Sequence, residues 1–299
     1  MFGLKKKTTE EKKQEAPLQE TPAQEVPAAD AEAPVLSEKR PAEVAEKGTE
    51  APQKEEGLRV SAAEMAEFEE FKRQKKILEL RRMLKTIDHT LLKQTATRED
   101  VRRLCKEAVD YGFYSVCVQP VYVSACTDFL KNAPQIKIAC VVGFPMGENK
   151  TETKVFETKR AVADGADEID MVICISAVKN ANYAYVKKEI RQIVKAAKGA
   201  PVKVIIETSL LTRDEMVKAA QCAKDAGAAF VKTSTGYFGE GAKAEDVRLL
   251  KETVKGSCFV KASGGIRSAE QFRTMLEAGA DRIGTSAGVE IADSLKKQL

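Results

Sequence analysis

The chain predicts an α/β protein, a closed (β/α)8 TIM barrel preceded by a disordered tail and an N-terminal helix. Three observations predict it. Short apolar, β-branched runs alternate with segments of helical spacing over about 215 residues, giving eight strand–helix units, the number a closed barrel needs. Several helical segments end alike (Tyr111-Gly112, Asp164-Gly165-Ala166-Asp167, Asp225-Ala226-Gly227-Ala228, Glu277-Ala278-Gly279-Ala280-Asp281), with a glycine to take the left-handed cap before the next strand. No G-x-G-x-x-G follows the first strand, as a doubly wound open sheet, the competing architecture, usually requires.

The elements follow in order. Residues 1–57 hold six of the ten prolines (17, 22, 27, 34, 41 and 52) among Ala, Glu, Lys and Gln, with Phe2 the sole aromatic. Such a segment buries too little apolar surface to offset its ordering entropy, so a disordered, solvated tail is expected. Residues 58–85 form an N-terminal helical segment. Ser61 and Glu64 have capping-box spacing, Val60 and Met65 form the staple, and Met65, Phe68, Phe71, Ile77, Leu80 and Leu84 follow helical spacing. That helix is expected to pack over one end of the barrel domain, residues 86–299. The strand candidates there are Ile87 to Leu91, Ser115 to Val118, Ile138 to Gly143, Glu168 to Ile173, Val202 to Glu207, Phe230 to Thr233, Cys258 to Lys261 and Arg282 to Gly284. Helices are expected near 98–111, 121–131, 151–164, 181–198, 212–226, 244–254, 268–278 and 287–297.

Composition narrows the function classes. A hydrophobic share of 43%, a charged share of 31% and a net charge of +4 fit a soluble globular protein without a nucleic-acid-binding face. No apolar run approaches the roughly 20 residues that span a bilayer. Met1-Phe-Gly-Leu-Lys-Lys-Lys7 is neither a secretory signal nor a myristoylation site. Seven scattered cysteines without a Cys-x-x-Cys pair read as free thiols in a reducing cytoplasm, and one histidine, His89, leaves no zinc site to expect.

Two lysines carry the chemistry. Lys232 lies in Phe230-Val-Lys-Thr-Ser-Thr-Gly236 and Lys261 in Cys258-Phe-Val-Lys-Ala-Ser-Gly-Gly265, both at the ends of apolar strand-like runs. An ammonium loses hydration on burial, so two of them in buried strands require a reason. An amine driven towards neutrality by desolvation and a neighbouring cation can attack a carbonyl and form a Schiff base. Barrel active sites form where strands end, and the expected strand ends carry Asp88, Cys117, Asp170, Lys232 and Lys261. Taken singly, each has a structural explanation as a cap, a core thiol or a snorkelling lysine. Their joint placement on one barrel favours a site. Ser263-Gly264-Gly265 after strand seven and Gly284-Thr-Ser-Ala-Gly288 after strand eight, opening a helix, suit a phosphate.

These residues resemble the deoxyribose-phosphate aldolase family. The resemblance runs from about Thr86 to Ile291. It rests on Ile87-Asp-His-Thr-Leu-Leu-Lys93, Ser115-Val-Cys-Val118, Val141-Val-Gly-Phe-Pro-Met-Gly147, Ala166-Asp-Glu-Ile-Asp-Met-Val172, Val231-Lys-Thr-Ser-Thr-Gly236, Val260-Lys-Ala-Ser-Gly-Gly-Ile-Arg267 and Arg282-Ile-Gly-Thr-Ser-Ala-Gly288. It implies a cytoplasmic class I aldolase of nucleoside catabolism, without cofactor or metal, that interconverts 2-deoxy-D-ribose 5-phosphate with glyceraldehyde 3-phosphate and acetaldehyde. By the same resemblance Lys232 is the Schiff-base nucleophile, Lys261 the cation that depresses its pKa, and Asp170 the proton donor and acceptor. Asp88 and Thr90 belong to the surrounding polar network and Cys117 lines the site, while Gly236, Gly264, Gly265, Gly284 and Ser286 hold the phosphate. The implied partner is a small phosphorylated sugar, and the resemblance is compatible with a homodimer. It identifies no partner for the tail.

The chain departs from the family pattern at Gln94, Gln119, Cys174 and Ser176, and at Glu240 and Lys243 in the rim loop. None touches the lysine pair or Asp170, so reaction type is retained while substrate preference stays open. Two alternatives stand beside the aldolase: a related Schiff-base barrel acting on another phosphorylated aldehyde or ketose, and a non-catalytic scaffold that works through its tail.

Overall fold

The computed structural model describes residues 61–298, so the expected tail at 1–57 and the Val60 staple lie outside the described residues. A 23-residue helix, α1 (Ala62–Leu84), comes first. Eight strands follow: β1 (Ile87–Leu91), β2 (Ser115–Val118), β3 (Lys137–Val142), β4 (Glu168–Val172), β5 (Val202–Ile205), β6 (Phe230–Lys232), β7 (Phe259–Ser263) and β8 (Arg282–Thr285). They are parallel and close in sequence order, β8 pairing back onto β1. Between and after them lie α2 (Arg98–Tyr111), α3 (Val123–Phe129), α4 (Thr151–Ala163), α5 (Ile175–Lys179), α6 (Tyr183–Ala196), α7 (Arg213–Asp225), α8 (Ala244–Val254), α9 (Ala269–Glu277) and α10 (Gly288–Lys296). The expected (β/α)8 barrel is present.

Local sequence sets most helix starts. Thr97–Asp100, Thr212–Glu215 and Ser268–Gln271 form reciprocal capping boxes at α2, α7 and α9, each satisfying two amide donors that no helix turn can reach. Two segments differ from expectation. The anticipated helix at 181–198 is preceded by a short extra helix, α5, and begins where Asn182 accepts from the Tyr185 amide at 3.1 Å. The segment at 121–131 opens as a 3-10 turn, Pro120–Tyr122, with Pro120 at a first-turn position whose missing amide has no helical acceptor to lose.

The main hydrophobic core lies between sheet and helices. Outward-facing Ile169, Met171, Val204, Val231, Val260 and Ile283 pack there against Ile190, Leu250 and Phe272. Strand alternation points the other residues into the barrel. Those positions usually hold branched apolar side chains. Here they include Asp88, Ser115, Glu168, Asp170, Lys203, Lys232, Lys261 and Arg282, all buried.

Helix α1 forms as expected, with its Ser61–Glu64 capping box, but only Leu80 and Leu84 are buried. Met65, Phe68 and Phe71 remain exposed, so the expectation that the whole helix packs over the barrel holds for its last turns only. Those turns meet α10. Among the described residues, no helix is long and apolar enough to cross a membrane.

Candidate active site

One carboxylate holds three lysines. Asp170, in the middle of β4, accepts from Lys232 Nζ and Lys261 Nζ through the same oxygen, Oδ2, at 2.9 and 2.7 Å. Its Oδ1 accepts from Lys203 Nζ at 2.8 Å. Lys261 also lies 2.5 Å from Asp88 Oδ2. Beneath them Arg282 pairs with Asp88 and, at 3.3 Å, with Glu168, while Lys203 reaches Glu168 at 2.5 Å. Strands β1, β4, β5, β6, β7 and β8 each contribute to this network, which only a closed barrel assembles.

The lysines are not equivalent. Among these ion pairs four basic groups (Lys203, Lys232, Lys261, Arg282) face three carboxylates (Asp88, Glu168, Asp170), so one positive charge is in excess. Lys232 has a single carboxylate contact, shared with Lys261, whereas the other three basic groups each have at least two carboxylate partners. Burial accordingly pushes the Lys232 pKa down, with repulsion from Lys261 adding to it and Asp170 opposing. Burial also acts against the charge on Lys261, but Asp170 and Asp88 outweigh it and the pKa rises. Lys203 rises for the same reason, with Asp170 its leading partner. Burial would raise Asp170. Lys203, Lys232 and Lys261 together overcome that and hold it well below the usual carboxylate range.

Above this network a cavity of about 320 Å³ opens at the C-terminal face of the barrel. Lys232 lines it together with Thr90, Gly236, Gly264, Gly265, Gly284 and Ser286. Gly264 has φ +89°, and a Cβ there would stand 3.0 Å from the Gly241 Cα and 3.2 Å from the Gly236 Cα, so the loop after β6 passes it too closely, at two points, for a side chain. A Cβ on Gly284 would stand 3.0 Å from the Lys261 Cε. The missing side chain therefore gives Lys261 its path across the barrel. Helix α10 begins at Gly288, just past Ser286 of this wall.

Sequence comparison bears on what such a site belongs to. The profile of the DeoC/LacD family aldolases matches residues 82–292. The chain belongs to that family. This aldolase is 56% identical over 217 residues to a deoxyribose-phosphate aldolase of Thermococcus kodakarensis, covering 71% of this chain and 96% of that protein. A deoxyribose-phosphate aldolase of Aciduliprofundum boonei is 54% identical over 221 residues, covering 73% of this chain and 99% of that one. Among solved structures, the tetrameric deoxyribose phosphate aldolase of Aeropyrum pernix matches with a TM-score of 0.69 and 37% identity, covering 75% of this chain and 96% of that chain.

The aldolase places its expected residues in two layers. Lys232, Thr90 and the glycine and Ser286 positions reach the cavity. Asp170 and Lys261 lie directly beneath it, Asp170 bonded to both Lys232 and Lys261. Asp88 is deeper, bonded to Ser115 at 2.6 Å and paired with Lys261 and Arg282. Cys117 is buried in a small apolar cluster with Leu92, Ala139 and Val141. Asp88, Cys117, Asp170 and Lys261 are interior strand positions rather than the strand ends expected from sequence, because β1, β2, β4 and β7 each continue past them. The atypical rim residues Glu240 and Lys243 pair with each other at 2.8 Å on the exposed rim.

Sequence reasoning missed Lys203, Glu168 and Arg282. The signal for Lys203 was present: Val202-Lys-Val-Ile205 sets a lysine inside a buried β-branched strand, as at Lys232. It also missed Glu207, just after β5, buried in a left-handed backbone conformation at φ +53°. Its Oε2 accepts from the Thr235 amide at 3.0 Å and the Thr235 hydroxyl at 2.5 Å.

Proposed function

We propose that the chain cleaves 2-deoxy-D-ribose 5-phosphate to glyceraldehyde 3-phosphate and acetaldehyde, and catalyses the reverse addition, with Lys232 as the Schiff-base nucleophile. The observation that carries this reading is that, of the three lysines on Asp170, only Lys232 lines the cavity and has its pKa lowered.

The neutral Lys232 amine adds to the open-chain C1 aldehyde, giving a carbinolamine that loses water to a protonated imine. Removal of the C3 hydroxyl proton breaks the C2–C3 bond. Its electron pair passes to the imine, leaving an enamine on Lys232 and releasing glyceraldehyde 3-phosphate. Protonation at C2 and hydrolysis then release acetaldehyde. Asp170 is a carboxylate in the resting site, so it serves first as an acceptor, and a proton it later delivers must come from Lys261 or water. Lys261 keeps its charge and repels a second one on Lys232. Gly236, Gly264, Gly265, Gly284 and Ser286 receive the phosphate, a dianion suited to the backbone amides of tight glycine turns and a helix N-terminus. Thr90 and Cys117 bound the reacting end, and Asp88 holds Lys261 in place. The free thiols, with six of the seven buried, suit a reducing cytoplasm.

Borohydride reduction in the presence of acetaldehyde, followed by peptide mass mapping, tests the assignment. The expected adduct lies on Lys232 and is absent in Lys232→Ala. An adduct on Lys203 or Lys261, or turnover by Lys232→Ala, would refute it.

A further inference from the structure

Tyr237 crosses the mouth of the barrel. It belongs to the loop after β6, yet its Oη donates to the carbonyl oxygen of Leu92, just after β1, at 2.7 Å. Its ring meets Phe144, after β3, edge-on, with centroids 5.3 Å apart and planes at 90°. The strands close in sequence order, so a side chain rooted on β6 that touches the loops of β1 and β3 must span the opening.

Both ends of this bar are fastened. At its root, the Thr235 hydroxyl donates to buried Glu207 and accepts the Tyr237 amide at 3.1 Å. At its tip, the Leu92 carbonyl also accepts from Gln119 Nε2 at 3.2 Å. Gln119 is one of the positions at which this chain departs from the family pattern.

The bar separates two chemically different halves of the mouth. Towards β7 and β8 lie the glycine turns of Gly264, Gly265 and Gly284. Towards β2 and β3 lies the apolar cluster of Leu92, Cys117, Ala139 and Val141, with Phe144 packed on it. With the sugar phosphate on the glycine turns and C1 on Lys232, carbons added to the aldehyde donor extend away from those turns, towards the apolar half.

We propose that Tyr237 is a specificity-determining residue: latched to Leu92 and braced on Phe144, its ring roofs the apolar half and restricts the donor to the two carbons of acetaldehyde. This rests on the aldolase reading. A roof held by one hydrogen bond excludes a further methylene only while the bond keeps the ring down, and a net hydrogen bond corresponds to a factor of about five.

The test uses the full chain in the addition direction, with glyceraldehyde 3-phosphate as acceptor and acetaldehyde or propanal as donor. The readout is the ratio of kcat/KM for propanal to that for acetaldehyde. Tyr237→Phe keeps the ring and the Phe144 contact but removes the latch, and the ratio is expected to rise about fivefold. Tyr237→Ala removes the roof and should raise it further. Borohydride trapping of propanal and acetaldehyde on Lys232 compares imine formation by the two donors without turnover, and thermal melting verifies that the variants are folded. An unchanged ratio in folded Tyr237→Phe, or an equal loss for both donors, overturns the proposal. If the wild-type protein neither cleaves deoxyribose phosphate nor traps acetaldehyde, the aldolase reading itself fails. If it does both and the ratio stays flat, only the role of Tyr237 is lost.

Discussion

Lys232 and Lys261 stand opposite each other in register across β6 and β7 and share one oxygen atom, Asp170 Oδ2, at 2.9 and 2.7 Å. Parallel pairing alone would leave two ammonium groups side by side. The carboxylate of β4, reaching across the barrel, turns that juxtaposition into an unequal pair: Lys261 gains a second carboxylate in Asp88, and Lys232 does not. Burial acts on all three lysines alike, so asymmetry of anionic support decides which of them has its pKa lowered.

The pH dependence of turnover follows from this. Activity rises as pH increases through the lowered Lys232 pKa, which lies below the ordinary lysine value of 10.5. Lys261→Leu removes the repulsion and leaves Lys232 as the one lysine on Asp170 Oδ2, so the acid limb of the kcat/KM profile should move to higher pH and activity at neutral pH should fall by at least tenfold. A profile superimposable on wild type would contradict the role given to Lys261. For stability the sign is also set. A lysine with a lowered folded-state pKa binds fewer protons when folded, so its contribution strengthens as pH rises from that pKa towards 10.5.

Removing the shared anion should be costly. Asp170→Asn leaves Lys203, Lys232 and Lys261 without their common carboxylate in a buried setting. Such losses typically cost about 3–5 kcal/mol. Denaturant unfolding should register that loss, and turnover should vanish, since the acceptor for the C3 hydroxyl proton is gone. A fully stable, active Asp170→Asn protein would show that the network is not organised around this residue.

Lys203 provides a test of support beneath the site. It does not line the cavity above the network, but bridges Asp170 and Glu168 at 2.8 and 2.5 Å. Lys203→Met removes one of two basic partners of Glu168, and a loss of about 3 kcal/mol is expected. With Asp170 less neutralised, the Lys232 pKa should rise, so the acid limb of the rate profile should shift upward. Loss of stability with an unmoved pH profile would confine Lys203 to folding.

Gly264→Ala addresses the phosphate. The new Cβ would stand 3.0 Å from the Gly241 Cα at a backbone φ of +89°, at a strain cost of order 1–3 kcal/mol. The KM for deoxyribose 5-phosphate should rise severalfold, while KM for unphosphorylated deoxyribose changes little. Equal effects on both sugars would move the phosphate elsewhere.

At the periphery, Ser61→Ala removes one half of the α1 capping box, in which Glu64 N–H donates to Ser61 Oγ at 3.2 Å. Such a cap contributes about 1 kcal/mol to its helix. Because only the last turns of α1 touch the barrel, helicity by circular dichroism should fall slightly while barrel melting and turnover hold. A large drop in barrel stability would reveal packing by the first turns.

The alternation of short β-branched runs with capped helical segments was legible in the chain because both signals are local: strand period, helical spacing and caps such as Thr97–Asp100 arise within a few residues. Lys232, Lys261 and the glycine turns were legible for a related reason, since a charge or a run of glycines stands out against an apolar strand. Where each strand ends was less legible, and β7 runs on to Ser263, so Lys261 became an interior residue. What lies across the barrel could not be read at all. That Asp170 would bind three lysines, that Asp88 would support Lys261 but not Lys232, and that Tyr237 would reach Leu92 depend on barrel closure, which brings together residues as distant in sequence as Asp88 and Lys261. Sequence alone therefore determined the barrel and the amine chemistry, because desolvation and periodicity act residue by residue. The tertiary structure decided which amine has its pKa lowered, because that depends on how many carboxylates each one meets.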